Sequence, residues 1–170
     1  LAARYEDGLD HVDGDDGPVL LLWLGASIGN FEREEAVRFL SGFREQLSPE
    51  DQLVIGIDLV KDAHILEGAY NDRAGVTARF NLNLLARINR ELGGEFDLSR
   101  FRHVAEWTEV EGRIEMYLES TESQSVRVAV LELEVALAAG ERIHTENSHK
   151  YTLEEIEDLA ETHGFAASRV

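Results

Sequence analysis

Cysteine is absent from this 170-residue chain. A disulfide framework and thiolate nucleophiles are therefore excluded. No apolar run approaches the roughly 20 residues that a membrane-spanning helix needs, and the N-terminus lacks the basic-then-apolar pattern of a secretory signal. Basic residues are scarce: 16 Lys and Arg stand against 34 Asp and Glu, a formal charge of −18. A surface that negative repels phosphate backbones and anionic lipids, so neither nucleic acid nor membrane is expected as a partner. The acidity is spread along the chain, as on a solvated surface, and forms no acidic tail. Together these absences point to a cytoplasmic protein. Catalytic signatures are missing too. There is no Gly-x-Ser-x-Gly elbow for a Ser/His/Asp hydrolase and no Gly-Lys-Ser/Thr phosphate loop. The six histidines form no HExxH pair, and the His144/His149 spacing fits one face of neither a helix nor a strand, so no metal is expected.

Hydrophobic residues make up 44% of the chain and charged ones 29%, enough for one core and a small second lobe. A Gly-Asp-Asp-Gly turn at 14–17 precedes the apolar run at 18–24, which predicts a strand covered on both faces. Small residues follow at 25–30. Ala36, Val37, Phe39, Leu40, Phe43 and Leu47 then recur at helical spacing. Glu32, Glu34 and Glu35 sit where the helix dipole favours negative charge, and Ser48-Pro49 ends the helix. A second buried strand is expected at 53–59, adjacent and parallel to the first. In such sheets ligands sit beyond the carboxyl ends of the strands, which marks the loops 25–30 and 58–62.

Beyond residue 60 the pattern changes. Short helices are expected at 63–70 and 81–92, the second ended by Gly93-Gly94. Alternating strands are expected at 101–110, 113–120, 125–137 and 142–150, as in one mostly antiparallel sheet with a wet face. Glu111-Gly112 and Ala139-Gly140 read as hairpin turns. Thr152 with Glu155 reads as a capping box opening a helix to about His163, with Gly164 just past its end, and a strand begins at 165–170. The expected fold is α/β: a partial Rossmann-like parallel sheet at 1–60, an inserted α+β substrate-binding lobe at 61–150, and a return helix with the start of a core strand at 151–170. Both ends are expected to be boundaries within a longer protein.

Two segments carry chemistry. The loop 25–30 lets a ligand approach backbone closely through its glycines, and Asn30 offers an acceptor and donors to an amine or carboxylate. A tight turn with Asn30 capping the next helix explains the same residues. The second segment is Thr145-Glu-Asn-Ser-His-Lys150. In an extended chain Glu146 and Ser148 point to one face, where a carboxylate and a hydroxyl could hold both nitrogens of an imidazole. An exposed edge strand whose charges discourage aggregation is the alternative.

These segments resemble a known family. Trp23-Leu-Gly-Ala-Ser-Ile-Gly-Asn-Phe31, Gly56-Ile-Asp-Leu-Val-Lys-Asp62, Ala69-Tyr-Asn-Asp-Arg-Ala-Gly-Val-Thr77, Phe80-Asn-Leu-Asn83 and Ile143-His-Thr-Glu-Asn-Ser-His-Lys-Tyr151 are similar, in order and spacing, to motifs of the histidine-specific SAM-dependent methyltransferases of ergothioneine biosynthesis. The resemblance covers nearly the whole chain. It implies a Rossmann-like domain with a separate substrate lobe, S-adenosyl-L-methionine as cofactor, and methyl transfer to the alpha-amine of L-histidine. Asn30 and Tyr70 match residues holding the substrate's amino and carboxylate groups. Glu146 and Ser148 match the pair that reads the imidazole, Met116 a residue lining that pocket, and Gly25 a glycine near the cofactor. A sulfoxide synthase, fused or interacting, is the implied protein partner. No catalytic base is assigned, because solvent can take the proton once the amine is oriented. The glycine-rich SAM loop and the ribose-binding acid of the family have no counterpart in these residues. The cofactor site is therefore expected to be incomplete here, and the 170 residues alone to bind no SAM and be inactive. The alternatives are a same-family methyltransferase for another amino acid or amine, and a non-catalytic amino-acid-binding domain.

Overall fold

The computed structural model describes residues 17–167. The turn expected at 14–17 lies mostly outside the described residues. So does the end of the strand expected at 165–170, of which residues 165–167 have no regular structure. The chain divides into two compact units, one made of residues 1–60 and 149–170 and the other of residues 61–148. Each is described by itself.

In the first unit, β1 (Leu20–Trp23) leads through a single turn of 3-10 helix (Ser27–Asn30) and helix α1 (Arg33–Gln46) to β2 (Gln52–Ile55). The strands pair in parallel, Leu20 opposite Gln52 and Trp23 opposite Ile55. The crossover is tied at its far end by Asp51, whose carboxylate accepts from the Val19 and Ser48 N–H groups at 2.6 Å each. These bonds hold the Asp51 carboxyl below its ordinary pKa. α1 opens on Glu32 with a reciprocal capping box to Glu35. The same two glutamates that favour the dipole also satisfy first-turn N–H groups. Ala36, Leu40 and Phe43 face inward with Trp23, Ile28, Leu47 and Tyr151; the Trp23 and Phe39 rings meet at a tilt, and Phe43 meets both edge-on, with 4.6–5.7 Å between centroids.

Two expectations fail here. β1 and β2 are not covered on both faces among the described residues: Leu20 and Leu22 are 56% and 55% exposed, and Leu24 and Val54 are exposed as well. An apolar run reports a preference for burial, and what covers each face is decided by other elements. The second strand is also shorter than residues 53–59; past Ile55 the chain is irregular, and Leu59 makes a lone parallel bridge to Tyr151. That bridge brings the returning chain alongside. Tyr151 N–H donates to the Asp58 carbonyl at 3.0 Å, and the buried Lys150 ammonium meets the Asp58 carboxylate at 2.9 Å. The Arg33 guanidinium donates to the Lys150 carbonyl and lies 3.9 Å over the Tyr151 ring. Helix α4 (Leu153–Thr162) then starts on the expected Thr152/Glu155 capping box, with Gly164 at φ 73° just beyond its end.

The second unit begins with α2 (Ala63–Tyr70) and α3 (Val76–Leu92). α3 starts five residues before the expected position. Asp72 explains the early start: its carboxylate accepts from the Val76 and Thr77 N–H groups at 2.9 and 2.8 Å. Strands β3 (Phe101–Thr108), β4 (Arg113–Ser120) and β7 (Arg142–His149) form one sheet in the order β3-β4-β7, with β3 and β4 antiparallel. The run expected as one strand at 125–137 is a hairpin of its own: β5 (Gln124–Val128) and β6 (Leu133–Leu137) pair antiparallel in a separate sheet. Glu132 at φ 50° makes the reversal, just after the apolar run at 128–131 where the alternation changes phase. The single-sheet expectation is thereby corrected to two. Glu111-Gly112 joins β3 to β4 as expected. Ala139-Gly140 is a turn but no hairpin, since β6 and β7 belong to different sheets.

The β3-β4 faces follow strand parity. Phe101, His103, Ala105 and Trp107 share the inner face with Ile114, Met116 and Leu118. α3 covers one end of that face through Leu85 against Phe101 and Leu118, and α2 covers the other through Leu66 against Ala105, Ile114 and Met116. The outer face carries ions. Glu119 accepts from Arg102 at 2.8 Å and Arg142 at 2.9 Å, and Arg142 also reaches Glu106. Arg142 and Arg102 hold the Glu119 carboxyl below its usual pKa, and the Tyr117 hydroxyl with Arg113 does the same for Glu115.

Candidate functional site

Within the first unit the candidate loop leaves the carboxyl end of β1. Gly25 has φ 95° and Ala26 φ 56°. The first conformation suits glycine. The second is uncommon for any residue with a Cβ and persists only where its surroundings hold it. Here the Ala26 carbonyl accepts from Gly29 N–H at 3.1 Å, and Trp23 Nε1–H donates to Ser27 Oγ at 2.7 Å. Gly56 backs the loop: a Cβ there would stand 3.2 Å from Gly25 N and 3.3 Å from Ala26 N, whereas a Cβ on Gly25 would meet nothing within 4 Å. The loop is thus packed on its Gly56 side and open at Gly25. Asn30 ends the 3-10 turn with its side chain exposed, and the cap of α1 is Glu32. The capping explanation of Asn30 therefore does not hold.

Within the second unit, strand alternation fails along β7. Ile143 packs into the inner core, while Arg142 and His144 lie on the outer face, the His144 ring 5.1 Å from that of Tyr117. Plain alternation would put Ser148 on that outer face too. Instead His144 Nε2 bonds Asn147 Oδ1 at 2.8 Å, so residues three apart share a face, and the Ser148 hydroxyl lies 2.8 Å from the Tyr70 hydroxyl, which packs on the inner side. Parity therefore switches between His144 and Asn147. A switch of this kind is the mark of a bulge, a device that re-aims side chains. Ser148 is buried and Glu146 half-buried. β7 is an edge strand, as the alternative supposed, but Ser148 turns inward.

Met116 stands on the same inner face, buried with Leu66, Ala105 and Ile114, and Tyr70 packs against this cluster. The structure thus gathers Tyr70, Met116 and Ser148 on one side of the β3-β4-β7 sheet. Tyr70 is the last residue of α2, and its backbone is tied down from β3. His103 Nε2 lies 3.0 Å from the Tyr70 carbonyl. The Asn71 amide donates to the Ala105 carbonyl at 2.8 Å and accepts from Ala105 N–H at 3.3 Å. Glu67 accepts from Trp107 N–H. These side chains satisfy the outer edge of β3, which would otherwise present open backbone groups. Among the described residues no group of three or more His, Cys, Asp or Glu could hold a metal ion, and no helix is long and apolar enough to cross a membrane.

Comparison with known proteins bears on both segments. Residues 1–170 match the family described as "Histidine-specific methyltransferase, SAM-dependent". The chain belongs to this family. It is 50% identical over 146 residues to the histidine N-alpha-methyltransferase of Mycolicibacterium smegmatis, covering 85% of this chain and 46% of that protein. It is 47% identical over 135 residues to the protein of the same name from Mycobacterium tuberculosis, covering 79% and 42%. With the "Ergothioneine biosynthesis protein 1" of Neurospora crassa it shares 34% identity over 170 residues, 96% of this chain and 19% of that protein. The chain spans a little under half the length of the two mycobacterial relatives.

In this member of the histidine-specific methyltransferase family, Asn71 and Asn81 lie inside the motifs quoted above and His103 lies outside them. None of the three stands in a run of metal-ligating or nucleophilic residues, so a search for reactive clusters passes over them. One signal could have found His103: it occupies the core-facing parity of β3, between Phe101 and Ala105, where an apolar residue is the default.

Proposed function

We propose that this chain is the part of a SAM-dependent N-methyltransferase that recognises L-histidine, in a Rossmann-like protein whose substrate lobe is the insertion at 61–150. The observation that carries the reading is the buried Ser148 hydroxyl bonded to Tyr70 on the Met116 face. A serine hydroxyl has one proton and two lone pairs. A hydroxyl such as that of Ser148 can donate to the unprotonated nitrogen of an imidazole, and a carboxylate such as that of Glu146 can accept from the ring N–H. A phenol oxygen such as that of Tyr70 can accept from an amine. Met116 supplies a polarisable, apolar wall for the ring. Asn30, exposed beyond the carboxyl end of β1, has the donors and acceptor for an amino-acid head group.

Gly25 fits one side of the cofactor, since its missing side chain leaves open space at the strand end where such ligands bind. When bound, the sulfonium cofactor supplies an activated methyl group. The chain's own residues contribute orientation: a neutral amine held with its lone pair aimed reacts faster by positioning alone, worth up to roughly 7–11 kcal/mol. No side chain is assigned as base. A site built for both ring nitrogens rejects substrates that lack them, because its polar groups would go unpaired. A sulfoxide synthase is the proposed protein partner, in keeping with the pathway named in the Neurospora relative.

The test is methylation of histidine and of an apolar amino acid of similar size by the full-length parent, followed by mass spectrometry. Glu146→Ala should cost a charge-assisted hydrogen bond, about 1.5–3 kcal/mol or roughly 10- to 150-fold in histidine affinity, and leave the apolar analogue nearly unaffected. Equal loss on both substrates would make Glu146 structural.

A further inference from the structure

His103 is half-buried on the inner face of β3, at the seam between the two apolar clusters of the second unit. Its partners define its proton. Asn81, 1% exposed, points its Nδ2 at His103 Nδ1 (2.9 Å) and at the Tyr117 carbonyl (3.1 Å). A carbonyl can only accept, so the Asn81 group is the amide NH2, and His103 Nδ1 must be the acceptor. His103 Nε2 lies 3.0 Å from the Tyr70 carbonyl and must carry the hydrogen. The result is a directed chain: the Asn81 amide donates to His103, and His103 donates to the last residue of α2. Helix-end carbonyls lack an intrahelical partner, and this one receives its bond from a strand.

We infer that His103 is a positioning residue that sets the Tyr70 hydroxyl against Ser148 by holding the Tyr70 carbonyl in the Nε2–H tautomer that Asn81 selects; this rests on the substrate role proposed above for those two hydroxyls. The lever is geometric. A tyrosine hydroxyl ends far from its Cα, so a tilt of about 10° in the terminal peptide moves it by about 1 Å, beyond the roughly 0.5 Å within which such constellations act. Asn71 fixes the neighbouring residue to Ala105, and His103 grips the Tyr70 carbonyl itself. Nothing else in the second unit explains a histidine at a core-facing position. A merely apolar seam would be satisfied by leucine, whereas a buried Asn81 amide and a helix-end carbonyl both need a partner.

Two substitutions separate the halves of the chain. Glutamine carries an N–H near the Nε2 position, so His103→Gln keeps the bond to Tyr70 and gives up the one from Asn81. Asparagine carries an acceptor near the Nδ1 position, so His103→Asn keeps Asn81 and releases Tyr70. In the full-length parent, H103N should raise KM for histidine about 3- to 10-fold, the loss of one hydrogen bond, while KM for SAM stays within twofold. H103Q should leave KM for histidine near the wild-type value even if both variants melt at equally reduced temperatures. Equal KM changes in the two variants, or changes that follow the melting temperature, overturn the positioning role. The wild-type protein provides a second measurement that needs no stable variant: 15N spectra of labelled histidine should show His103 protonated at Nε2, and an Nδ1–H ring would overturn the inference. If the wild-type parent methylates no histidine at all, the reading beneath the inference falls with it, an outcome distinct from either of these.

Discussion

The Tyr70–Ser148 bond offers the sharpest energetic test of the site's geometry. The two hydroxyls are 2.8 Å apart, and Ser148 is buried while Tyr70 is half-buried. A hydrogen bond between neutral groups contributes about 0.5–1.5 kcal/mol net, and truncating one partner of a buried pair costs about 1–3 kcal/mol because the other loses its bond. Tyr70 keeps some access to water, which places Ser148→Ala near the lower end, about 1 kcal/mol. Tyr70→Phe removes the same bond from the other side and should cost a similar amount. The double variant replaces both hydroxyls, so it should cost little more than either single one. The coupling is then about 1 kcal/mol, within the range for residues in direct contact. Local stability of β4 and β7, read from native-state amide hydrogen exchange, gives the four corners of the cycle. Additive losses, with coupling below about 0.3 kcal/mol, would show that the two hydroxyls do not hold each other, and the argument for an inward-turned Ser148 would fail.

Two further outcomes are expected. Gly56→Ala puts a methyl 3.2–3.3 Å from the backbone of Gly25 and Ala26; it should destabilise by about 1 kcal/mol and raise KM for SAM before KM for histidine, whereas Gly42→Ala, inside α1 with nothing within 4 Å of its added methyl, should stabilise slightly, and the reverse order in thermal melts would refute the packing argument. Asp72 has its pKa lowered to about 2, from 3.8, mainly by the Val76 N–H and then the Thr77 N–H. A depressed folded-state pKa means stabilisation that is present above the unfolded value and lost as pH falls from about 3.8 through about 2. Protection of the first α3 amides, relative to their intrinsic exchange rates, should therefore fall across that window in wild type and depend less on pH in Asp72→Asn; identical profiles would show that the Asp72 carboxylate does not hold the start of the helix.

Local sequence determined much of this protein. The apolar spacing of Ala36, Leu40 and Phe43, the Thr152/Glu155 box and the left-handed glycines at 93 and 164 specify where helices run and stop, because each acts over three or four residues. The parallel β1–β2 pair was legible for the same reason: two short apolar runs separated by one helix leave few topologies. The segments around Asn30 and Ser148 stood out as candidates because one is a loop of small residues at the end of a strand and the other puts polar residues along a strand. Tertiary structure decided the rest. Whether the Leu20 and Leu22 face is covered depends on elements that the two strands do not contain. Residues 125–137 read as one strand, yet a left-handed Glu132 folds them into a hairpin; the apolar run at 128–131, where the alternation changes phase, is the local sign of the break. The face that Ser148 takes depends on a parity switch between His144 and Asn147, which is settled by contacts with Tyr117 on one side and Tyr70 on the other. His103 acquires its partners from residues 22 and 33 positions away. Side-chain period is a property of neighbours in sequence, whereas register, bulges and buried hydrogen bonds are set by groups that meet only after the chain has folded.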